Sequence, residues 1–531
     1  MSTLVEPVKQ AAHCLRLESC FTDALPADEK TENSPRQVYN ACYSWVKPKP
    51  VKQPQLLAYS KPLAATLGLA PDTFTDAALI GAMAGNQLLP GGKPYAMCYS
   101  GHQFGHWAGQ LGDGRAINLG EWVSPVGARW TLQLKGAGPT PYSRSADGLA
   151  VLRSSLREFV CSEAMHHLGV PTTRALTLVG TGEMVLRDMF YDGRPQWEPG
   201  AVVCRVAPTF LRFGSFEHHA ARGEHALLKT LADFTLKHYF PELHGQGVEG
   251  YRQWFEVICR QAADLVVHWQ RVGFVHGVLN TDNMSIIGQT LDYGPYGWLE
   301  AYDPNWTPNT TDAVGRRYRY GQQAAIVYWN LGQLANALYP LVNEVEPLHQ
   351  GLAIYQRCFA EGWQAMMAAK LGLREYDDDL VEALLALLTA EETDYTLWFR
   401  CLAESLSAPD QEQAWHALQA AFYAPSQRGA ALEGRWRQWL ADYQRIRQAQ
   451  AVTVAAAEQR MNQVNPLYVP RNYLTQQVLE QIQEGDTEAL PRLMRALQNP
   501  YQVQPGMAAY AAKRPDWARD KPGCAMLSCS S

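Results

Sequence analysis

The spacing of apolar residues along this chain changes near residue 215. Between 100 and 215, Gly-rich turns separate short apolar runs, a pattern typical of strands. One helix is predicted among them, because apolar residues recur at three- and four-residue steps from Leu149 to Val160, before a stop at Gly169 and Pro171. The predicted strands are INLGEW (117–122), RWTLQLKG (129–136), RALTLVG (174–180), MVLRDMF (184–190) and AVVCRVAP (201–208).

Beyond residue 215 the apolar residues follow helical spacing over long segments. A strand-rich part followed by a larger helical part is typical of a two-lobed α+β enzyme. Ligands tend to bind at the interface between two such parts. The predicted helices are 223–239, 250–272, 319–340, 351–371 and 379–405, and the charge-studded stretch 411–498 is also predicted to be helical.

Pro-rich and turn-rich sequence fills residues 30–95, which indicates an ordered extension that packs on the rest of the chain. At the other end lies a short polar tail, KPGCAMLSCSS, in which Cys524 and Cys529 are expected to be mobile because chain termini usually are. The predicted organisation is an N-terminal extension (1–95), an N-lobe (96–215), a helical C-lobe (216–410) and a C-terminal helical region with its tail (411–531).

Composition, charge and cysteine spacing exclude several classes of protein. The 531 residues are 47% hydrophobic and 18% charged, which excludes intrinsic disorder for the bulk of the chain. A net charge of −6 without basic blocks argues against nucleic acid as the main partner. No apolar run is long enough to span a membrane, and the start MSTLVEPVKQ lacks a signal pattern, so a cytoplasmic protein is expected. The 11 cysteines contain no C-x-x-C pair, which indicates reduced thiols rather than disulfides or a zinc site.

The densest glycine signal is GQLGDGR, with Gly109, Gly112 and Gly114. Glycines let backbone N–H groups approach phosphates closely, but Asp-Gly is also the mark of an ordinary β-hairpin. The order G-x-x-G-x-G matches neither the Rossmann nor the Walker A pattern, and no strand is predicted before it. A dinucleotide-binding fold is therefore disfavoured.

Lys135 ends a predicted strand after this glycine segment, and Glu158 follows on the predicted helix. A lone lysine at a strand end is usually a solvated surface charge. A Gly-rich hairpin, a strand lysine and a helix glutamate in this order match the way protein kinases hold phosphates, with the glutamate fixing the lysine.

The segment GFVHGVLNTDN, followed by LDYG, carries the strongest signal. Set against the kinase pattern H-R-D-L-x-x-x-N and D-F-G, His276 takes the place of the histidine, Asn283 that of the asparagine and Asp292 that of the second aspartate. An amide and a carboxylate flanking a short hairpin can share one divalent cation, and such oxygen ligands suit Mg²⁺. Each residue alone is also an ordinary turn former.

One position departs from the kinase pattern, because the catalytic aspartate would fall at Val278. Valine cannot accept the proton of an incoming hydroxyl. Asp282 is the nearby carboxylate. The chain is therefore either inert or uses a base in a different place.

Arg205 and Arg212 stand seven residues apart (212 − 205 = 7) in CRVAPTFLRFG. Two guanidinium groups are suited to holding a polyphosphate through paired hydrogen bonds. Surface salt bridges are the alternative interpretation.

These motifs together resemble the selenoprotein O (SelO/YdiU) family. The resemblance covers nearly the whole chain and is carried by GHQFGHWA running into GQLGDGRA, then by LQLKGAGPTPYSR, RVAP with LRFGSFE, HGVLNTDNMS and LDYGPYG. It implies a protein-kinase-like fold that lacks the usual catalytic aspartate, a nucleotide bound flipped relative to kinases, and transfer of AMP from ATP to hydroxyl side chains of proteins.

The resemblance also implies roles for individual residues. Asp282 is the expected proton acceptor, and Glu158 positions Lys135. Asn283 and Asp292 are the expected ligands of Mg²⁺, with Mn²⁺ as the alternative metal. The expected nucleotide contacts are Gly112, Gly114, Arg115, Lys135, Asp147, Gly148, Arg205, Arg212 and Asp292. Eukaryotic members carry selenocysteine near the C terminus, where this chain has Cys529, so a redox role for that thiol is left open.

The sequence thus predicts a Mg²⁺-dependent protein adenylyltransferase with ATP as substrate and Ser, Thr or Tyr hydroxyls of proteins as acceptors, with neither nucleic acid nor membrane as partner. A kinase-like phosphotransferase and a nucleotide-binding scaffold without catalysis are the alternatives. The presence of both Asn283 and Asp292 beside the Lys135–Glu158 pair argues against the scaffold.

Overall fold

The computed structural model describes residues 16–528, and Cys529 lies outside them. Its strands are β1 Tyr43–Trp45, β2 Gln55–Tyr59, β3 Tyr95–Met97, β4 Ser100–Gln103, β5 His106–Gln110, β6 Ala116–Val123, β7 Arg129–Lys135, β8 Arg174–Arg187, β9 Gln196–Ala207, β10 Phe274–Val275 and β11 Gly297–Trp298. Its α-helices are α1 Cys20–Ala24, α2 Lys61–Thr66, α3 Ala77–Ala84, α4 Leu152–His167, α5 Phe213–Ala221, α6 His225–Tyr239, α7 Val248–Val272, α8 Gln323–Val342, α9 Glu346–Lys370, α10 Asp378–Ala390, α11 Tyr395–Ser405, α12 Gln411–Leu418, α13 Ala430–Ala449, α14 Val454–Val464, α15 Asn472–Gln483 and α16 Ala489–Gln498. The fold is mixed α+β, with a sheet-rich part before a helical part.

The main sheet has seven strands in the order β1-β3-β6-β7-β9-β8-β2, and every neighbouring pair is antiparallel. The segments 174–180 and 184–190, predicted as separate strands, contribute to one long strand, β8. A register shift between Gly180 and Met184 lets β8 continue its pairing with β9 past the irregularity. Both edge strands, β1 and β2, lie within residues 43–59 of the predicted N-terminal extension, so this part of the extension is built into the sheet.

The glycine segment is not a hairpin, which corrects one of the two interpretations of its sequence. A strand, β5, does precede it, and β5 pairs with β4 in a separate two-stranded sheet, while β6 after it pairs with β3 and β7. The glycines therefore connect strands of different sheets. Gly112 has φ +79, and a Cβ there would lie 2.3 Å from Cγ of Tyr142, so glycine is required by both backbone and space.

Helix α4 connects the sheet to the C-terminal helices. Its apolar side chains Leu156, Phe159 and Val160 are buried against β8 and β9 on one side, and the same core cluster includes apolar residues of α15 and α16. Residues near the C terminus thus stabilise the helix that carries Glu158.

The helical part is built around α7, which packs against α8 and α9. The predicted helix 379–405 is two helices, α10 and α11, with a break at 391–394. Asp394 explains the break because its side chain accepts a hydrogen bond of 2.9 Å from the Leu397 N–H and so caps a new helix.

The expected mobility of the tail is wrong for Cys524, which is 5% exposed. Its carbonyl accepts a 2.9 Å hydrogen bond from Asn472 Nδ2, and the Leu527 N–H donates to the Pro308 carbonyl at 3.0 Å. The nine cysteines within 16–528 are free thiols. Over the same range, no helix combines the length and apolar character that crossing a bilayer requires.

Candidate active site

A cleft of about 850 Å³ is lined by the end of β7, the glycine segment and the loop that carries Asn283 and Asp292. All the sequence-predicted site residues line it except Glu158, which lies behind Lys135. The structure therefore brings together residues that are up to 180 positions apart (292 − 112 = 180).

Lys135 is the last residue of β7 and faces α4. Its Nζ lies 2.8 Å from Oε2 of Glu158 and 3.2 Å from Oδ1 of Asp292. The strand lysine and the helix glutamate thus form the ion pair that their order predicted, and the lysine also reaches the Asp292 carboxylate.

Arg205 and Arg212 meet at the same carboxylate. Arg205 is on β9, directly opposite Gln133 of β7, and its Nη1 contacts both Asp292 and Oε1 of Glu158, the latter at 2.9 Å. Its Nε donates a hydrogen bond of 3.0 Å to Oε1 of Gln133. Arg205 is 2% exposed, so here its guanidinium binds protein groups rather than facing solvent.

Arg212 differs from Arg205 because one of its nitrogens has no hydrogen-bond partner. Its Nη1 donates to Oδ2 of Asp292 and to the Asp282 carbonyl, both at 2.9 Å. Its Nη2 is buried without a hydrogen bond and lies 3.9 Å from Oδ1 of Asp113. The guanidinium lies over the Tyr99 ring at 4.3 Å. We refer to Lys135, Glu158, Arg205, Arg212 and Asp292 as the cleft cluster.

The cleft cluster keeps Asp292 ionised. Burial alone would raise the pKa of this carboxyl, but Arg205, Lys135 and Arg212 outweigh it and hold the pKa well below its usual range. Asn283 lines the same cleft, and its Nδ2 donates to the Val278 carbonyl at 2.8 Å. Because that bond fixes the amide nitrogen, the amide oxygen is left as the group available for another ligand.

Asp282 is 7% exposed and has an unpartnered oxygen. Its Oδ2 accepts a 3.2 Å hydrogen bond from Nε2 of Gln103, whereas its Oδ1 is buried with no partner. Burial raises the pKa of Asp282 to about 7, with Arg212 and Gln103 opposing the shift. Asp282 and Asp292 therefore sit in one cleft with opposite pKa shifts, the pattern that separates a proton acceptor from a permanently charged group.

The remaining predicted nucleotide contacts line the same cleft. Gly114 and Arg115 follow Gly112, and burial lowers the pKa of Arg115. Gly148 has φ +71, and a Cβ there would lie 2.3 Å from the Gly138 carbonyl carbon. Asp147 accepts hydrogen bonds of 2.7 and 2.8 Å from the two terminal nitrogens of Arg187.

Sequence reasoning missed several residues that shape the cleft. Gln103 belongs to the motif GHQFGHWA, but the position of an amide in the sequence does not show which carboxylate it contacts. Asp113 stands between two glycines like a turn residue, yet it is buried and accepts a 2.9 Å hydrogen bond from the Met97 N–H. Arg187 lies in a predicted strand, and its pairing with Asp147 depends on the folded sheet.

A separate buried polar cluster lies behind the β4–β5 hairpin. Within the described range, His218, His219 and Glu224 have potential ligand atoms within 4.8 Å of one another. Each imidazole nitrogen already has a protein neighbour: for His218 these are Ser100 Oγ at 2.7 Å and Cys98 Sγ at 3.2 Å. Burial lowers the pKa of His218 to about 3 and raises that of Cys98 to about 12. This imidazole–thiol pair is therefore neutral.

Comparisons with known proteins agree with the motifs. The family model described as protein adenylyltransferase SelO matches residues 28–498. A protein nucleotidyltransferase YdiU from Aromatoleum aromaticum is 54% identical over 525 residues, which cover 97% of this chain and 99% of that protein. Proteins of the same name from Rhodopirellula baltica and Methylobacillus flagellatus are 53% and 52% identical, over 97% of this chain and 99% and 100% of their own lengths.

Proposed function

This chain belongs to the protein adenylyltransferase SelO family and is a nucleotidyltransferase, and we propose that it transfers AMP from ATP to Ser, Thr or Tyr hydroxyls of proteins. The proposal includes a protein-kinase-like two-lobed fold. It is supported by the order of a strand lysine, a helix glutamate and a loop with Asn283 and Asp292, all of which meet at one cleft.

The observation that carries the proposal is a pair of unsatisfied buried groups in that cleft. Nη2 of Arg212 is a donor without an acceptor, and Oδ1 of Asp282 is an acceptor without a donor. Buried polar atoms are nearly always paired, so unpaired ones call for an explanation. A phosphate oxygen supplies the missing acceptor, and a substrate hydroxyl supplies the missing donor.

In the proposed reaction the oxygen of the acceptor hydroxyl attacks the α-phosphorus of ATP, and Asp282 accepts the proton of that hydroxyl. The bond from that phosphorus to the bridging oxygen breaks, AMP remains on the acceptor, and pyrophosphate leaves with the electron pair. Val278 stands where a kinase carries its base for attack on the γ-phosphorus, which disfavours phosphate transfer. In the flipped orientation, the arginines of the cleft cluster face the departing β- and γ-phosphates.

The other members of the cleft cluster position and neutralise charge. Glu158 holds Lys135 in place by its 2.8 Å ion pair, so the ammonium is oriented before the nucleotide arrives. Arg205 is fully engaged by protein acceptors. For it to reach a phosphate as predicted, its contact with Asp292 has to be exchanged, whereas Arg212 has a donor already available.

The donor set suits a hard divalent cation. One amide oxygen from Asn283 and one carboxylate held ionised at Asp292 are the kind of ligands that Mg²⁺ takes together with substrate phosphates. We propose that these two residues hold Mg²⁺, with Mn²⁺ as an alternative. A bound ion would supply neutralisation of the triphosphate charge.

We also propose the cytoplasm as the location, because the described cysteines are free thiols and thiols persist in a reducing compartment.

The test uses ATP radiolabelled at either the α or the γ position, with Mg²⁺ and a lysate as source of acceptor proteins. We expect label from the α position alone to enter protein, and we expect Asp282→Asn to lower its transfer by about 10²- to 10⁴-fold. Asp379→Asn, an exposed carboxylate on α10, is the matched control and should behave as the unmodified chain. Label from the γ position would favour a phosphotransferase, and no label from either would favour a scaffold.

A further inference from the structure

The hairpin of β4 and β5 has an unusual turn. Gln103 pairs with His106, so Phe104 and Gly105 form a two-residue loop, with φ +51 and +84. Both positive values are typical of a type I′ turn, whose first position normally holds Asn, Asp or Gly because a Cβ is unfavourable there. A phenylalanine keeps this conformation only where its surroundings hold it.

Those surroundings are the loop that carries Asp282. The Phe104 N–H donates to the Tyr318 hydroxyl at 2.8 Å and to Asn280 Oδ1 at 3.3 Å. Two residues earlier in the hairpin, the His102 N–H donates to Oγ1 of Thr281 at 2.7 Å. Backbone groups of the hairpin thus bind residues 280 and 281, directly before Asp282.

The approach is also close in space. A Cβ on Gly101 would lie 2.9 Å from both Cβ and Oδ1 of Asp282, so only glycine fits where the hairpin passes the carboxylate. The hairpin places Gln103 so that its amide nitrogen donates to Oδ2 of Asp282 at 3.2 Å. Gln103 is the side chain that hydrogen-bonds this carboxylate, and the other oxygen stays unpartnered.

We infer that Gln103 is a positioning residue for the proposed base: its amide holds Oδ2 of Asp282 and so fixes the orientation of the carboxylate that accepts the proton of the acceptor hydroxyl. The strained turn at Phe104 maintains the hairpin against the loop, and the hairpin carries the amide. This inference rests on the proposed role of Asp282. It assigns to Gln103 no contact with the nucleotide.

A purely structural role for Gln103 makes a different prediction. If the amide only tied the hairpin down, its loss would loosen the whole cleft wall, and the melting temperature, the KM for ATP and kcat would change together. If it orients one carboxylate, kcat alone should fall, because misplacement of a reacting group by about 1 Å can cost roughly 100-fold in rate.

The experiment compares Gln103→Met, which keeps the length and loses the donors, with His106→Ala. His106 is the exposed cross-strand partner of Gln103 and does not line the cleft, so it is the matched control. We expect Gln103→Met to lower kcat for α-label transfer by about 10- to 100-fold, with KM for ATP and the ATP-induced rise in melting temperature unchanged. His106→Ala should leave all three values unchanged.

Gln103→Glu provides a second variant should the methionine variant fold poorly. It keeps the shape and replaces the donor by an acceptor, so its kcat should fall at least as far. Unchanged kcat in either folded variant overturns the inference, as does a parallel change of kcat and KM. If the unmodified chain transfers no α-label, the proposed function has failed instead, so the two failures are distinguishable.

Discussion

Two buried clusters of arginine and carboxylate groups in this molecule have similar composition and different surroundings. In one, Arg471 contacts Glu300 and, at 2.9 Å, Asp394. Arg471 and Asp394 are 1% and 0% exposed at their side chains, and Asp394 also accepts from the Tyr423 hydroxyl at 3.1 Å. We call Arg471, Glu300 and Asp394 the closed cluster. The other is the cleft cluster.

The closed cluster has no buried side-chain polar atom without a hydrogen-bond partner, and it connects the residue before α15 to the residue before α11. The cleft cluster faces a cleft of about 850 Å³ and leaves Nη2 of Arg212 without a hydrogen bond, beside the unpartnered Oδ1 of Asp282. An unsatisfied buried group costs stability. The comparison teaches that incomplete pairing next to a cavity, rather than burial of charge, distinguishes a site from a structural ion pair.

The largest effect is expected for Asp282→Asn. An amide cannot accept the acceptor's proton as a carboxylate does, so transfer of α-label should fall by about 10²- to 10⁴-fold. The melting temperature should stay the same or rise, because the variant buries no carboxyl. Initial rates and thermal unfolding measured on one preparation check both. Retention of full rate would mean that the unpartnered oxygen is not the base.

In the closed cluster, Arg471→Met should lower the stability and leave the rate unchanged, the reverse of what is expected for Asp282→Asn. Removing one partner of a buried ion pair leaves Glu300 and Asp394 without their counter-charge, which typically costs about 3–5 kcal/mol of stability. Denaturant unfolding should show this loss, while kcat measured well below the lowered melting temperature should be unchanged. A catalytic defect at full stability would break the comparison.

Sequence alone predicted the part of this molecule that rests on local order. The Lys135–Glu158 pair was predictable because a strand lysine followed by a helix glutamate matches the order in which protein kinases carry this ion pair. The break before α11 was not, because Asp394 in a run of helical spacing gives no sign that it will cap. The single strand β8 and the edge positions of β1 and β2 depend on pairing between distant segments, which spacing within a segment does not encode.

The same division applies to the site. Asp282, Asn283 and Asp292 lie within one motif, so the sequence could group them. Arg205 was predicted as a phosphate ligand. Its present partner Gln133 becomes a neighbour only when β9 pairs with β7, and Glu158 only when α4 packs against β9. Gln103 reaches Asp282 across 179 positions (282 − 103 = 179), so no spacing rule could have connected them.

Asp292→Asn should remove the stabilisation of the folded chain by ATP with Mg²⁺, an effect smaller than the two described above. The amide keeps the shape but loses the charge that balances Arg205, Arg212 and Lys135, so the proposed metal ligand is weakened. At about 100 times its Kd, a ligand stabilises the folded chain by about 2.7 kcal/mol, and the variant should lose this increment for ATP with Mg²⁺. Asp379→Asn should keep it. An equal rise in melting temperature in Asp292→Asn would remove Asp292 from the binding site.

The smallest effect concerns the neutral cluster at His218 and is set by pH. Burial lowers the folded-state pKa of His218 to about 3, from a usual value near 6.5. The unfolded chain therefore binds a proton that the folded chain does not, and the free energy of unfolding should fall as pH decreases from about 6.5 toward 3. For this one group the loss at pH 5.5 is about 1.4 kcal/mol.

His218→Gln removes the titrating group, so the stability difference between variant and parent should shrink by about that amount between pH 7.5 and pH 5.5, as measured by urea unfolding. The carboxylate of Asp292, with its pKa held well below the usual range, does not titrate in this window. A stability difference that does not change with pH would show that His218 has the same pKa in the folded and the unfolded chain, and the contrast between a neutral cluster and the two charged ones would fail.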